Sequence, residues 1–230
     1  MSDPTNNLSS TTRRCAIALI IGCVLGIIAM AHHPTLHSHT ISRAVEEMPK
    51  LQSLNGLVHG GMIALSLLIG LCFAEYSALR GLTRFLPRSA LILFLFGLIA
   101  MCFGALINGF IVPDLIASFA TQPEQQAHAK MLLSSAWASN QSLIALGAYL
   151  MAAAVLLWSL DLLINTPQRR LLGALGGALA LLSLIWQFSQ SSRFDLRNMQ
   201  FFWLGLCVWA GLAAWVMLDR RGNSLSVGER

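Results

Sequence analysis

The chain is poor in charged side chains, and this shortage decides its class. Lysine and arginine contribute 15 residues, and aspartate and glutamate contribute 10, so only 11% of the 230 residues are charged, whereas 56% are hydrophobic. A soluble globule of this length needs more polar surface than such a composition supplies. The sequence therefore predicts an integral membrane protein, with the lipid bilayer as its first partner.

The familiar signatures of enzyme active sites are also missing. The sequence has no His-Glu-x-x-His zinc-protease motif, no Gly-x-Ser-x-Gly nucleophile elbow and no glycine-rich phosphate-binding loop. These absences exclude the corresponding proteases, hydrolases and nucleotide-binding enzymes. A membrane-embedded enzyme of another reaction stays open as an alternative, although no spacing of serines or acids selects its residues.

Cysteine is present without the spacing of a redox or zinc motif. The chain has five cysteines and no Cys-x-x-Cys pair, and all five fall within apolar stretches. A disulfide framework in the exported loops is therefore excluded. Because buried cysteine behaves as a small apolar side chain, packing within helices is the simplest interpretation. The five are Cys15, Cys23, Cys72, Cys102 and Cys207.

The sequence is rich in long apolar runs. A helix that rises about 1.5 Å per residue needs about 20 residues to cross a hydrocarbon core about 30 Å thick. Continuous hydrophobicity indicates helices, because lipid offers no partners for unpaired backbone groups. We predict an all-α integral membrane bundle of six transmembrane helices. The runs are Cys15–Ala31, Leu54–Leu79, Ser89–Val112, Met131–Leu160, Leu171–Phe188 and Met199–Leu218.

Short polar segments flank the bundle at both ends. We predict a flexible cytoplasmic tail over residues 1–14, one transmembrane domain over 15–218 and a second cytoplasmic tail over 219–230. An alternative is a cleavable export signal, because two arginines precede an apolar stretch that ends in Ala29-Met30-Ala31. The first apolar run has 17 residues, which exceeds the about 7–15 of a signal peptide and favours an uncleaved first helix.

Basic residues are distributed unevenly between alternate segments, and this bias predicts orientation. Short loops rich in lysine and arginine stay on the cytoplasmic side. Ten basic residues share one side and five the other, which indicates a bacterial-type cytoplasmic (inner) membrane protein with both termini inside. The net charge of +5 follows from this topology, so nucleic acid is not an expected partner. The ten are Arg13, Arg14, Arg80, Arg84, Arg88, Arg169, Arg170, Arg220, Arg221 and Arg230.

All six histidines fall on the predicted exported side, which makes that side the place to look for function. Counting along straight helices from the cytoplasmic charges places His59, Asn108 and Asn140 about 30 Å away, in one layer. We predict an outward-facing polar pocket, with Gln141 or Asp114 nearby, that binds or transports a small ligand. A purely structural layer is the alternative, because polar residues cost least at the bilayer boundary.

Four histidines follow the first run closely, and imidazole is a common ligand of zinc, copper and nickel. His32, His33, His37 and His39 are therefore candidate ligands of a metal ion, and Met30 adds a soft ligand for reduced copper. Their spacing is not that of a structural zinc site. A histidine-rich loop with adventitious metal affinity is the competing interpretation.

A haem is the second cofactor that the histidines could hold. His59 together with His32, His33 or His128 would provide its ligands at the exported face. A two-haem relay across the bilayer needs ligands near both faces. The cytoplasmic half contains no histidine, so transmembrane electron transfer is disfavoured.

The acids within the predicted helices lie near a membrane boundary rather than at its centre. Glu75 precedes Arg80 by five residues, so we expect it to pair with Arg80 or Arg84, and Asp161 directly follows the fourth run. Proton-driven transport usually needs an ionisable residue deep in the membrane. The sequence therefore disfavours a conventional proton pump and leaves uniport or ligand binding open.

Small residues recur at helical spacing in two places. Gly22 with Gly26, and Gly173 with Gly177, would let two helices approach closely. Packing inside the bundle is the simpler interpretation, and a homo-oligomer through either pair is the alternative. The third run carries a further signal, because Pro113 after Asn108 indicates that this helix bends or stops at the exported face.

Overall fold

A computed structural model describes residues 10–33, 41–120, 124, 126–189 and 196–219. Within these ranges every regular element is a helix, as the apolar runs predict. A π-helical turn continues the third helix, and a short 3-10 turn precedes the sixth. The elements are α1 (Ser10–Ala31), α2 (Ile41–Arg80), α3 (Phe85–Leu106), the π turn (Ile107–Ile111), α4 (Val112–Ala120), α5 (Gln126–Asn165), the 3-10 turn (Pro167–Arg169), α6 (Arg170–Ser189) and α7 (Leu196–Leu218).

Six helical segments in the described ranges are long and apolar enough to cross a membrane. Each predicted run lies inside one of them, so the expected number of spanning-length helices is confirmed. One of these segments continues from α3 through the π turn into α4. The six segments are Ser10–Ala31, Gln52–Arg80, Phe85–Phe119, Ala127–Asn165, Pro167–Ser189 and Arg197–Leu218.

The first helix begins before its apolar run. Helix α1 starts at Ser10, so residues 10–14, which the sequence assigns to a flexible tail, form its first turns. A tertiary contact explains the extension, because the buried Thr12 hydroxyl donates to Oε1 of Glu75 in α2 at 2.7 Å. The other residues of the two predicted tails, 1–9 and 220–230, lie outside the described residues, and Asp219 follows α7 directly.

Helices α3 and α5 share the most extensive contact of the bundle. Gly97 and Gly147 face each other at their crossing, and a Cβ atom on either would lie 2.8 Å from the carbonyl oxygen of the other. Only glycine lets two helix backbones approach this closely. Helix α5 also packs on α6, while α1 packs on α2 and α7.

An aromatic cluster joins α2, α3 and α5 in the core. The rings of Phe73 and Trp158 stack with their centroids 4.8 Å apart, and Phe94 lies 4.7 Å from Phe73. The indole N–H of Trp158 donates to the Ser77 hydroxyl at 2.9 Å. All four side chains are fully buried, so this cluster fixes α2 against its neighbours.

The bundle has two chemically different ends. The contact of Thr12 with Glu75 joins the start of α1 to the last part of α2, and His33, just after α1, contacts His59 in the earlier part of α2. The two helices therefore run in opposite directions. We call the end that carries His33 and His59 the histidine end. The opposite end, with Arg80, Arg84 and Arg169, is the arginine end.

The two glycine pairs lie against other helices of the same chain. A Cβ on Gly22 would lie 3.3 Å from the Ile69 side chain, and one on Gly26 would lie 2.5 Å from the Trp203 indole. Gly173 and Gly177 both face Ser159 of α5. The pairs thus serve packing within the bundle, and self-association of the chain through them stays a prediction.

Candidate functional site

His59 is the centre of a polar cluster at the histidine end. Its Nδ1 atom lies 2.9 Å from the carbonyl oxygen of Asn55, one turn earlier in α2. A carbonyl oxygen only accepts hydrogen bonds, so we infer that Nδ1 carries the proton of the neutral ring. The Nε2 atom is then left with a lone pair. This arrangement, with one ring nitrogen tied to a backbone carbonyl, is typical of histidines that ligate metals.

Two further side chains converge on His59 Nε2. The Asn108 amide nitrogen lies 3.1 Å from it, and His33 Nε2 lies 3.2 Å from it. The rings of His33 and His59 meet edge to face, with their centroids 4.8 Å apart. One lone pair lies in the plane of the His59 ring, so it cannot serve two donors equally well. A cation held between the two imidazole nitrogens would resolve this competition.

The π turn brings Asn108 to this position, and the sequence explains why the turn forms. Pro113 has no N–H, so it cannot donate to the Gly109 carbonyl four residues earlier. The Val112 N–H reaches back five residues to Ile107 instead of four. The carbonyls of Asn108 and Gly109 therefore lose their usual helical donors.

The amide of Asn55 compensates for these missing donors. Its Nδ2 atom donates to the Asn108 carbonyl at 3.0 Å and to the Gly109 carbonyl at 3.3 Å. Asn55 thus ties α2 to the π turn with its side chain, while its own carbonyl orients His59. Where the sequence predicts that the third helix bends or stops, the structure has this π turn, and the helix continues beyond it as α4.

Gly109 lets the π turn touch His59. A Cβ atom at this position would overlap the His59 Cβ and lie 2.8 Å from its Cγ, so no larger residue fits without moving a helix. His59 and Asn55 are buried, with 5% and 7% of their surfaces exposed. His33 and Asn108 are only partly buried among the described residues.

The other predicted pocket residues lie elsewhere. Asn140 is buried, and its amide donates to the Gly104 carbonyl of α3 at 2.7 Å, one turn before Asn108. The side-chain oxygen of Gln141 is buried and accepts no hydrogen bond within the described part of the chain. Asp114 is exposed at the start of α4. Of the five candidate pocket residues, the structure brings His59 and Asn108 together, and among the described residues it does not bring Asn140, Gln141 or Asp114 into the same cluster of hydrogen bonds.

The predicted metal and haem ligands have different positions. His33 belongs to the cluster, whereas His32 is exposed and its Nδ1 lies 2.9 Å from the carbonyl of Ile28 in its own helix. His128 is exposed near the start of α5. The candidates His37 and His39 lie outside the described residues. Across the described ranges, no three side chains of histidine, cysteine, aspartate or glutamate are grouped as metal ligands.

Sequence reasoning missed Asn55. This residue stands four positions before His59, so both lie on one face of α2. That spacing was the available signal. A polar residue one helical turn before a histidine can orient the ring, here through its backbone carbonyl, and its side chain can bind a neighbouring helix.

No family model, curated protein or solved structure matches this chain.

The arginine end holds a buried ion cluster. Arg80 binds Oδ2 of Asp161 through Nε at 2.7 Å, and Arg84 contacts the other carboxylate oxygen. Arg80 also donates to the Thr166 hydroxyl at 2.6 Å. Glu75 accepts its hydrogen bond from α1, so the expected pairing of Glu75 with Arg80 or Arg84 is wrong. Asp161 pairs with both arginines instead, because the loop between α2 and α3 lies against the end of α5.

Proposed function

We propose that this polytopic protein lies in a bacterial-type cytoplasmic membrane with its arginine end facing the cytoplasm. The division of basic residues, ten on one side and five on the other, supports this orientation, because cytoplasmic loops retain arginine and lysine. Both termini are then cytoplasmic, and the histidine end faces outward. The outward-facing cluster is the site at which the protein meets its ligand.

We further propose that this ligand is a transition-metal ion, bound by His33 and His59. The observation that carries the proposal is the 3.2 Å separation of the two Nε2 atoms. Two imidazole nitrogens that bind one tetrahedral ion at about 2.0–2.1 Å lie about 3.3 Å apart. The two nitrogens therefore already have the separation that an ion of this kind requires.

The remaining ligands follow from the same cluster. The side chain of Asn108 offers an oxygen after rotation of its amide, and histidine with oxygen ligands suits zinc, nickel and oxidised copper. His37 and His39 follow His33 closely in the sequence, which makes them candidates for the open coordination positions. The small ligand expected from the sequence is thus an ion, because His33 and Asn108 both already contact His59 directly.

A haem fits this cluster less well than an ion. Two axial histidines of a haem place their ligating nitrogens about 4 Å apart, with the macrocycle between the rings. The rings of His33 and His59 instead touch edge to face. A haem would require α1 and α2 to separate at the histidine end.

Metal titration of the purified protein tests this function. The protein in mild detergent is stripped with a chelator and titrated with Zn²⁺ by calorimetry, and with Co²⁺ by its visible absorption. We expect one ion per chain and an affinity loss of at least about 100-fold in His59→Ala and in His33→Ala, more than an outer-shell change causes.

His128→Ala is the control, because it removes an exposed histidine at the same end of the bundle. Helix content and elution volume show whether each variant remains folded. His33 lies outside the helices, so its variant keeps the test valid if His59→Ala does not fold. Wild-type protein without saturable binding, or a folded His33→Ala variant with unchanged affinity, would contradict the proposal.

A further inference from the structure

A groove lies between α5, α6 and α7, about midway along α6. Its walls are mostly apolar, and the space between them, with the open side included, amounts to about 270 Å³. Ser183 follows the first residue of α6 by 13 positions, or about 20 Å, so in a bilayer the groove lies at the depth of the lipid chains. The walls include Met151 and Val155 of α5, Ala180 and Ser183 of α6, and Phe202 and Gly205 of α7.

The opening of the groove is bordered by apolar surface. Ser183 and Gly205 are partly exposed there, and their sequence neighbours Leu182 and Leu204 are 64% and 50% exposed. Apolar surface at this depth faces lipid rather than water. An apolar chain can therefore enter the groove sideways from the bilayer.

A buried amide lies beyond the groove towards the histidine end. Gln187 is one helical turn after Ser183, so both lie on the same face of α6. Only 7% of its surface is exposed, and neither the nitrogen nor the oxygen of its amide has a hydrogen-bond partner in the described part of the chain. A buried polar group without a partner is unfavourable, so a ligand that carries a hydrogen-bond acceptor would be favoured here.

A cation lies at the same end of these helices. The Trp186 indole donates to Oδ1 of Asn198 at 2.9 Å, which joins the end of α6 to the start of α7. The neighbouring Arg197 is exposed, and its guanidinium carbon lies 5.7 Å from the centroid of the Phe201 ring. Arginine side chains at the ends of spanning helices reach the level of lipid phosphates.

The order of these features along the bundle matches one class of ligand. From the middle of the bundle outwards come the apolar groove, the amide of Gln187 and the guanidinium of Arg197. A phospholipid has the same order, with an acyl chain, an ester carbonyl and a phosphate. A helix of a second copy of this chain, about 10–12 Å wide with its side chains, is too wide for a groove of this volume.

We propose that this groove binds one diacyl phospholipid from the leaflet at the histidine end. One acyl chain lies in the groove, the Gln187 amide N–H donates to an ester carbonyl oxygen, and the Arg197 guanidinium binds the phosphate. The site is separate from the His33–His59 cluster. It depends neither on the metal function proposed there nor on which end of the bundle faces the cytoplasm.

Native mass spectrometry with dioleoyl phosphatidylglycerol tests the site. The protein in mild detergent is freed of co-purified lipid and titrated with this phospholipid. Wild type should bind one molecule per chain in preference to further ones, and the bound lipid should raise the midpoint of thermal unfolding.

Gly205→Leu should fill the groove. A Cβ atom at this position would lie 3.8 Å from the Ser183 hydroxyl oxygen, which is an ordinary contact. Excluding two or more methylenes of the acyl chain should lower the lipid affinity by at least about tenfold. Gly211→Leu is the matched control, because it makes the same change in α7 where a Cβ would meet nothing within 4 Å. It should bind the lipid as wild type does.

Two further variants test the polar contacts and keep the proposal falsifiable if Gly205→Leu does not fold. Gln187→Leu should lower the lipid affinity by about three- to tenfold, and it should not lower the midpoint of unfolding without lipid, because it removes an unpaired amide. Arg197→Gln should weaken binding and make the affinity less sensitive to salt. Wild-type protein without preferred binding of one lipid would overturn the proposal. So would wild-type affinity in folded Gly205→Leu or Gln187→Leu, or a wild-type dimer that Gly205→Leu dissociates.

Discussion

Asp161 has no solvent contact, and two arginines hold it at the arginine end. Its carboxylate is fully buried, Arg80 is 12% exposed, and Arg84 is 39% exposed. Burying a carboxylate is unfavourable unless charge and hydrogen bonds compensate it, and here both oxygens are bound. Asn165 adds a hydrogen bond to Oδ1 at 3.0 Å. The cluster thereby joins the end of α5 to the loop between α2 and α3.

Removing the charge of Asp161 should destabilise the bundle. Asp161→Asn keeps the size of the side chain but leaves the partly buried Arg80 without its counter-charge, and breaking a buried ion pair typically costs about 3–5 kcal/mol. We expect a lower midpoint of thermal unfolding, followed by tryptophan fluorescence in detergent. Asp114→Asn, at an exposed carboxylate of α4, should leave the midpoint unchanged. Equal midpoints for the two variants would show that the ion cluster adds no stability.

The sequence predicts how far along its helix each polar residue lies, but not the direction in which its side chain points. The constant rise of a helix places His59, Asn108 and Asn140 at one level from the sequence alone. The direction in which each points depends on how the helices rotate against one another. Asn140 faces the backbone of α3 rather than His59, and Asn55 faces the π turn although it lies at the edge of its apolar run. Tertiary packing sets these rotations, so the sequence could not supply them.

At the scale of elements, the π turn and α2 depend on each other. Pro113 removes a backbone donor, and the side chain of Asn55 replaces it. A buried carbonyl without a hydrogen bond lowers the free energy of unfolding by about 1–3 kcal/mol. The contribution of Asn55 to stability therefore depends on Pro113. Because Asn108 stands in this turn, the same contact sets the distance from its amide to His59.

A double-mutant cycle should reveal this dependence. Asn55→Ala alone leaves the carbonyls of Asn108 and Gly109 without their donor. We expect the free energy of unfolding to fall by about 1–3 kcal/mol. Pro113→Ala restores a backbone N–H. In that background, Asn55→Ala should lower the free energy of unfolding by clearly less. Denaturant or thermal unfolding of the four proteins gives the coupling energy. Additive effects would mean that Asn55 does not substitute for the missing donor.

Element boundaries show a second limit of the sequence. Apolar runs locate the membrane-spanning part of each helix well, because hydrophobic length is a direct requirement of the bilayer. They underestimate α2 and α5, each 40 residues long, whose first turns are polar. Polar residues continue a helix when propensity and neighbouring contacts allow it, as Thr12 does in α1. Hydropathy does not record such contacts.

The whole molecule presents an apolar outer surface. Leu71, Phe96, Leu182 and Ile21 are each more than half exposed, with exposed fractions of 69%, 62%, 64% and 52%. In water, such a contiguous apolar surface would drive aggregation, whereas lipid tails solvate it without cost. The inner surface carries the polar clusters instead, one at each end. This distribution supports the bilayer as the medium of the protein.

The two ends should differ in their access from outside the cell. Thr83, exposed in the loop at the arginine end, and Glu124, exposed between α4 and α5, are suitable positions for an added cysteine. In intact cells, a membrane-impermeant maleimide should label Glu124→Cys, while Thr83→Cys should react only after the membrane is opened. Wild-type protein gives the background, because its own cysteines lie within helices.

The same experiment decides where a metal ion could enter. If Glu124→Cys reacts first, the His33–His59 cluster is open to the outside, where arriving metal ions must first be captured. If Thr83→Cys reacts first, the basic residues do not determine the orientation as they usually do, and the proposed topology is wrong. The histidine cluster would then face the cytoplasm, so the site would bind ions of the cell interior. Its ligands and geometry would be the same, but it would bind metal ions that come from the cytoplasm rather than metal ions that arrive from outside the cell.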